Sequence, residues 1–344
     1  MQIRSRRSVL KSGAALAAAL CAPAIVRAAP KEIVIGGPAG AAKYFNADLF
    51  PVLEKKLDCK VLYEGTNSLT NLQKMQADKA SPKISVVIMD DPVMLPAVAE
   101  ELITKMSASA ISNLSKLVDG AVHQDGMWAN YQKPWAGIAY STKRMKSGPT
   151  KWSDLWDAKY KSRVIVPSLS NTEGFWTLLA AAHLETGKPY KEAQYDIEAA
   201  FKKVKSLKAN LLNVYTNAPQ AINLMEQGEA WMIGGQFSAY TLIRKADGSP
   251  VDLAVPEDGG FAMPSGIAKV KGAPANDLAD AAIDFFLGPE AQTILAAKAF
   301  VAPTNKATPK PAGFPDAGAL FAPDWAFVAK NRAAWVDRWS KEMT

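Results

Sequence analysis

Thiol and imidazole are scarce in this chain, whose 344 residues include two cysteines and two histidines. Cys21 lies in an N-terminal stretch that reads as a removable leader, which leaves Cys59 alone and excludes an intrachain disulfide. Stability must then come from a packed core. Cys59, at a helix end before a strand, reads as a small buried hydrophobe rather than a nucleophile. His123 and His183 belong to no cluster with ligand-like spacing, so neither a metal nor a cofactor is expected. Also missing are G-x-S-x-G, a P-loop, H-E-x-x-H and any histidine set beside a nucleophile, which argues against an enzyme. Beyond the leader no apolar run approaches the roughly 18 residues of a membrane span, so a soluble mature protein is expected.

The leader itself is distinctive. Arg4, Arg6, Arg7 and Lys11 precede an apolar run over residues 13–26, and Val26-Arg27-Ala28 offers small residues for signal peptidase. Ser5-Arg6-Arg7-Ser8-Val9-Leu10-Lys11 fits the twin-arginine export pattern except for Val9, where Phe is common. Leu20 before Cys21 is a poor lipoprotein match. Residues 1–28 are therefore expected to be a twin-arginine signal peptide that delivers the protein to the periplasm. They hold five of the 40 Lys and Arg and none of the 33 Asp and Glu, so the formal charge falls from +7 to 35 − 33 = +2 on their removal. The basic sequence pI of about 9.1 then says little about nucleic acid, and no nucleic-acid partner is expected.

With 49% hydrophobic and 21% charged residues the remainder is globular and long enough for two lobes. Apolar periodicity alternates strand and helix: strands at 32–36, 60–64 and 84–89 are interleaved with helices at 46–57, 69–80 and 92–100. This βαβαβα order calls for a parallel sheet with helices on both faces. After a less regular passage over 107–128 come strands at 131–132 and 136–141, the second read as an outward crossing. Strands at 163–166, 211–215 and 230–233 then alternate with helices at 173–185, 191–207, 218–227 and 237–246. A Pro/Gly/Ala-rich tail over 309–323 reads as a wrapping connection before an amphipathic helix at 325–341.

The stretch Ser249–Gly272, SPVDLAVPEDGGFAMPSGIAKVKG, carries the most specific signal. Two short strands flank a PEDGG turn; an amphipathic helix ending FFLGPEAQ follows, and the segment closes on Pro303-Thr304-Asn305. This order resembles the extracellular solute-binding proteins of ABC importers, in the branch that contains the spermidine/putrescine binders. The resemblance implies an α/β, two-lobed periplasmic binding protein fold, type II-like, each lobe a mostly parallel sheet flanked by helices and joined by crossing hinge strands. It divides the chain into lobe one (29–138 and 262–308), lobe two (139–261) and a C-terminal wrap and helix (309–344). It implies capture of a small solute between lobes that close on a hinge, delivery to an inner-membrane ABC permease, and a monomer. Polyamine binders of this branch place a Trp-x-Asp arrangement after the EGG turn and a Trp before the Gly-Ser-Ala segment. This sequence has Ala262-Met263-Pro264 and Gly234-Gly235 there, and Ser170-Asn171-Thr172 replaces an acidic turn. A buried diammonium lacks its counter-charges and rings, so a smaller polar solute (an amine, an amino-acid-like molecule or an anion) is expected. A polyamine binder proper is the first alternative, and a thiaminase-like enzyme on the same fold is the second. An iron binder would offer adjacent tyrosines, whereas Tyr215 is followed by Thr216.

Ligands of open α/β sheets sit at the carboxyl ends of strands, among loops and helix N-termini. That rule nominates Gly37 after the first strand; Thr66, Asn67 and Ser68 after the second; and Asp90 after the third. From lobe two it nominates Ser170, Asn171, Thr172 and Glu173, with Tyr215 and Gln236 after later strands. Trp135 and Phe261 sit at the two crossings, where either ring could stack on a ligand or fill the hinge. Several of these residues have plain alternatives: Thr66 or Ser68 as the cap of the next helix, and Asp91 as an N-cap with Pro92 in the first turn.

Overall fold

Strands and helices alternate from Lys31 onward and collect into two sheets; the computed structural model describes residues 31–263, 265–315 and 320–343. The leader and its arginine pair lie outside the described residues. The chain runs through β1 (Lys31–Pro38), α1 (Ala42–Tyr44), α2 (Phe50–Leu57), β2 (Cys59–Thr66), α3 (Ser68–Ala77), β3 (Val86–Asp90), α4 (Asp91–Ala99), β4 (Ile103–Thr104), β5 (Val122–His123) and β6 (Trp128–Gln132). A π-helical turn, Phe45–Leu49, stands between α1 and α2. Pro51, next in the ladder, has no N–H to give to an α-type bond.

The second sheet opens with β7 (Trp135–Ser141) and continues through β8 (Val164–Pro167), α5 (Gly174–Thr186), α6 (Tyr190–Ala193), α7 (Ile197–Ser206), β9 (Leu211–Tyr215), α8 (Ala218–Gln227), β10 (Met232–Phe237), α9 (Ser238–Ala246), β11 (Val251–Ala254) and β12 (Gly260–Ala262). β13 (Ser265–Val270), α10 (Asn276–Leu287) and α11 (Pro289–Ala299) rejoin the first lobe. β14 (Leu320–Phe321) and α12 (Trp325–Met343) return to the second.

The first sheet has the order β2-β1-β3-β13-β6-β5, with β4 also on β13, and the second β14-β12-β7-β10-β8-β9, with β11 also on β7. Pairs β1/β3, β8/β9 and β8/β10 are parallel, as βαβ succession demands. The two strands that follow the crossings depart from this: β7 runs antiparallel to β10, and β13 antiparallel to β3 and β6. The chain changes sheet between Gln132 and Trp135 and again between Ala262 and Ser265. The segment 136–141, expected as the crossing itself, lies wholly inside the second sheet. The break falls at Lys133-Pro134 because Pro134 has no N–H for a ladder.

Each sheet buries both faces. An edge-to-face aromatic set, Phe45, Phe50, Tyr131 and Phe286, fills one side of the first sheet. In the second lobe Trp152, Trp176 and Phe261 meet, and α12 adds Val328, Trp335, Trp339 and Met343 to the same core. The tail over 309–323 thus does more than wrap: β14 extends the second sheet beside β12, and α12 also packs along α4 of the first lobe. The helix expected over 191–207 is broken at Gln194, whose side chain turns inward to accept the Asp324 N–H at 2.8 Å.

Candidate functional site

A cavity of about 230 Å³ lies where the carboxyl ends of β1, β2 and β3 face those of β8, β9 and β10. Its first-lobe wall is Pro38, Ala39 and Gly40, Gly65 to Ser68, and Asp90; its second-lobe wall is Asn171 to Glu173, Thr216 to Pro219, Phe237 and Tyr240. Five helices begin at this wall: α3 at Ser68, α4 at Asp91, α5 at Gly174, α8 at Ala218 and α9 at Ser238. Their N-terminal N–H groups and partial positive ends converge on one space, an environment suited to an anion.

The same wall carries two acids. Asp90 Oδ2 accepts a hydrogen bond from Ser68 Oγ at 2.9 Å, and the Asp90 N–H donates to that hydroxyl. Burial holds the Asp90 carboxyl above its ordinary range, against opposing help from Thr172, Ser68 and Arg332. Glu173 is pushed up to about 8, by burial first and then by the charge of Asp90. The counter-charge is Arg332 of α12, itself buried, where desolvation pulls its pKa down to about 10 while Asp90 and Glu173 hold it up. Arg332 Nη2 donates to Ser170 O at 3.0 Å, and its guanidinium stands 5.3 Å from the Phe175 ring. An acid from each lobe and a cation from the C-terminal helix therefore share one buried cluster.

Among the nominated residues, Thr66, Asn67, Ser68, Asp90, Asn171, Thr172 and Glu173 come together on this cavity. The capping of α3 falls to Asn67, whose Oδ1 accepts the Thr70 N–H at 2.8 Å, and not to Thr66 or Ser68. Asn171 gives its amide to Thr216 O at 3.0 Å, while its Oδ1 is buried without a hydrogen-bond donor among the described residues.

The others are elsewhere. Gly37 touches Tyr63 instead, where a Cβ would meet the Tyr63 hydroxyl at 2.7 Å. Ser170 donates its hydroxyl to Ser168 Oγ at 3.1 Å and gives its backbone carbonyl to Arg332, and it is not on the cavity wall. Tyr215 is buried with its hydroxyl donated to Gln236 Oε1 at 2.7 Å, so both lie off the cavity surface. Gln236 does not end its strand, as expected, but continues β10 past a bulge at Gly235. There φ is +73°, and any Cβ would sit 2.6 Å from Glu173 O, so that glycine lets β10 pass beneath the site. Trp135 belongs to the apolar cluster of the second sheet, and Phe261 stacks on Trp176 at 4.9 Å. Asp91 is not an N-cap: its Oδ1 accepts from Trp128 Nε1 at 3.0 Å and Asn130 Nδ2 at 2.7 Å, and Asp90 holds the cap position. Sequence reasoning missed Arg332, Tyr240 and Phe237; Phe237 ends β10 and Tyr240 lies in the first turn of α9, where the strand-end rule applied to every loop would have reached them.

A family model described as bacterial extracellular solute-binding protein matches residues 81–331. The chain belongs to this family. Its members are solute-binding components of ABC transporters, and the paired sheets with a cleft at their strand ends are the architecture of periplasmic binding proteins. A Salmonella typhimurium protein, assigned by name as a 2-aminoethylphosphonate-binding periplasmic protein, is 24% identical over 286 residues, 78% of this chain and 79% of its own length. The periplasmic binding protein MotA of A. tumefaciens B6, solved with glucopine, superimposes with a TM-score of 0.76 at 20% identity, covering 91% of this solute-binding protein and 100% of MotA. The binding protein AfuA of Actinobacillus pleuropneumoniae, solved with fructose-6-phosphate, gives 0.75 at 21% identity, covering 92% and 99%. These related proteins are described as binding proteins.

Proposed function

We propose that this solute-binding protein captures a small organic zwitterion, an ammonium group joined to a phosphonate-like oxyanion, between its two lobes and hands it to an ABC permease. The observation that carries the reading is the mixed polarity of one cavity: Asp90, Glu173 and the unpaired Asn171 Oδ1 are acceptors for an ammonium, and five helix N-termini offer donors to an oxyanion. The 2-aminoethylphosphonate named for the Salmonella relative, and the sugar phosphate in AfuA, are solutes with such an oxyanion. A diamine fits worse, since its second cation would face the positive helix ends with no carboxylate on the wall beyond Asp90 and Glu173. We take the protein to act as a monomeric binder in the periplasm, without catalysis.

Calorimetry of the leader-free protein is expected to give a saturable isotherm with 2-aminoethylphosphonate and little heat with putrescine or spermidine. An ammonium favours ionised Glu173, so affinity should rise as pH increases through about 8 and level off above it. In Glu173→Gln that rise should vanish. Tight binding of either diamine, or a pH-independent affinity, would count against the assignment.

The export route is proposed from Arg6 and Arg7 in the Ser5 to Lys11 pattern. Replacing both with Lys should leave the precursor in the cytoplasm; undiminished periplasmic yield would point to another route.

A further inference from the structure

Beside the polar cavity lies a second space of about 260 Å³ with a different character. Ala42, Tyr44, Ile222 and Ile243 make it largely apolar, with Lys43 and Arg244 also on its wall. The two spaces share Ala39, Gly40, Pro219 and Tyr240. Tyr240 is the large side chain among these four. Its ring comes from α9 of the second lobe and lies against the backbone of the first: a Cβ built on Gly40 would fall 2.1 Å from Tyr240 Cε1 and 2.5 Å from Cζ. No side chain at position 40 leaves the ring where it is. Phe237, three residues earlier on the chain, meets the ring edge-on at 5.8 Å. Nearby, Lys43 of the first lobe pairs with Asp247 of the second, and α9 packs on α11.

We propose that Tyr240, seated on Gly40, is the partition that sets the size limit of the solute. It closes the polar chamber against the apolar one, so a compact zwitterion is enclosed and the same head group bearing an apolar tail is turned away. The inference rests on the reading of the polar chamber as the solute site. It goes further by assigning specificity to a residue that contributes shape rather than charge. Without the ring the two spaces join, and a tail could run past Pro219 toward Ile222 and Ile243. Contact with an apolar wall of this size is worth roughly ten- to a hundredfold in discrimination.

The test compares 2-aminoethylphosphonate with its N-benzyl derivative by calorimetry, on wild type, Tyr240→Phe, Tyr240→Ala, Tyr240→Leu and Gly40→Ala. Wild type and Tyr240→Phe should prefer the small compound by roughly tenfold or more. Tyr240→Ala should abolish or invert that preference, with Tyr240→Leu intermediate and available if the alanine variant does not fold. Gly40→Ala should weaken both compounds, because its methyl displaces the ring. An unchanged preference in Tyr240→Ala and Tyr240→Leu would overturn the partition while leaving the ligand class intact, as would equal binding of the two compounds by wild type.

If neither compound binds wild type, the ligand class is wrong, and the partition is decided by 8-anilinonaphthalene-1-sulfonate, a bulky aromatic anion. Saturable one-to-one fluorescence in Tyr240→Ala but not in wild type, with both melting cooperatively, would support it. No difference between the two would overturn it.

Discussion

Arg332→Met is expected to lower the free energy of unfolding by about 3–5 kcal/mol at pH 8. The methionine can fill most of the volume, so the loss comes from charge: the buried Glu173 and the half-buried Asp90 would be left with no cation nearby. The pH dependence has a definite sign. Glu173 has a folded pKa of about 8, above the roughly 4.3 of an unfolded glutamate, so the folded state holds the extra proton between these values. This group's contribution is therefore fully present below the unfolded value and is lost as pH rises toward 8. Wild-type stability should decline through that window, and Glu173→Gln should flatten the decline. In Arg332→Met the loss should shrink toward pH 5, where the acids can protonate, and adding Glu173→Gln should restore much of the stability at pH 8. Denaturant titrations at the two pH values decide it; a deficit under about 1 kcal/mol at pH 8 would show that Arg332 is not the counter-charge.

Phe261→Ala should cost about 3–5 kcal/mol, the range for emptying a fully buried aromatic site. Phe261 is wholly buried, stacks on Trp176 with planes 9° apart, and lies 5.3 Å from the Trp152 ring. The effect should appear in the melting curve before it appears in binding, because the ring contributes nothing to the cavity wall. Had this ring stacked on the solute, the same substitution would weaken binding and leave the unliganded melting temperature close to wild type. That outcome would move the site toward the crossing.

Where the sequence was informative, a local rule did the work. Loops that follow a strand and open a helix can be placed from periodicity alone, and the strand-end rule sent Thr66 to Ser68, Asp90 and Asn171 to Glu173 to what proved to be one cavity. The rule says which loop faces the cleft, not which atoms in it point there. Ser170 and Thr172 are two residues apart in one turn; one is spent on a backbone contact to Arg332 and the other reaches the wall. The Tyr215 hydroxyl and Gln236 Oε1 meet beneath the surface, a pairing that depends on the β8/β9 and β8/β10 registers and on the Gly235 bulge.

Arg332 was hidden for another reason. On an amphipathic helix it looks like any polar-face residue, and only the packing of α12 along both lobes brings it to acids far away in sequence. Trp135 and Phe261 show the converse limit: a ring near a crossing can serve a ligand or a core, and the choice depends on the sheet to which its strand belongs.

The position of β13 also bears on how the protein is made. This strand joins β3 to β6 in the middle of the first sheet, yet it is translated only after all of the second lobe up to β12. On the ribosome, β3 and β6 must wait with open edges while the inserted lobe is synthesised, which exposes them to wrong pairing. The first lobe, although started first, therefore completes its sheet only after the inserted strands and helices have emerged, and its folding rate is tied to closure of that long loop.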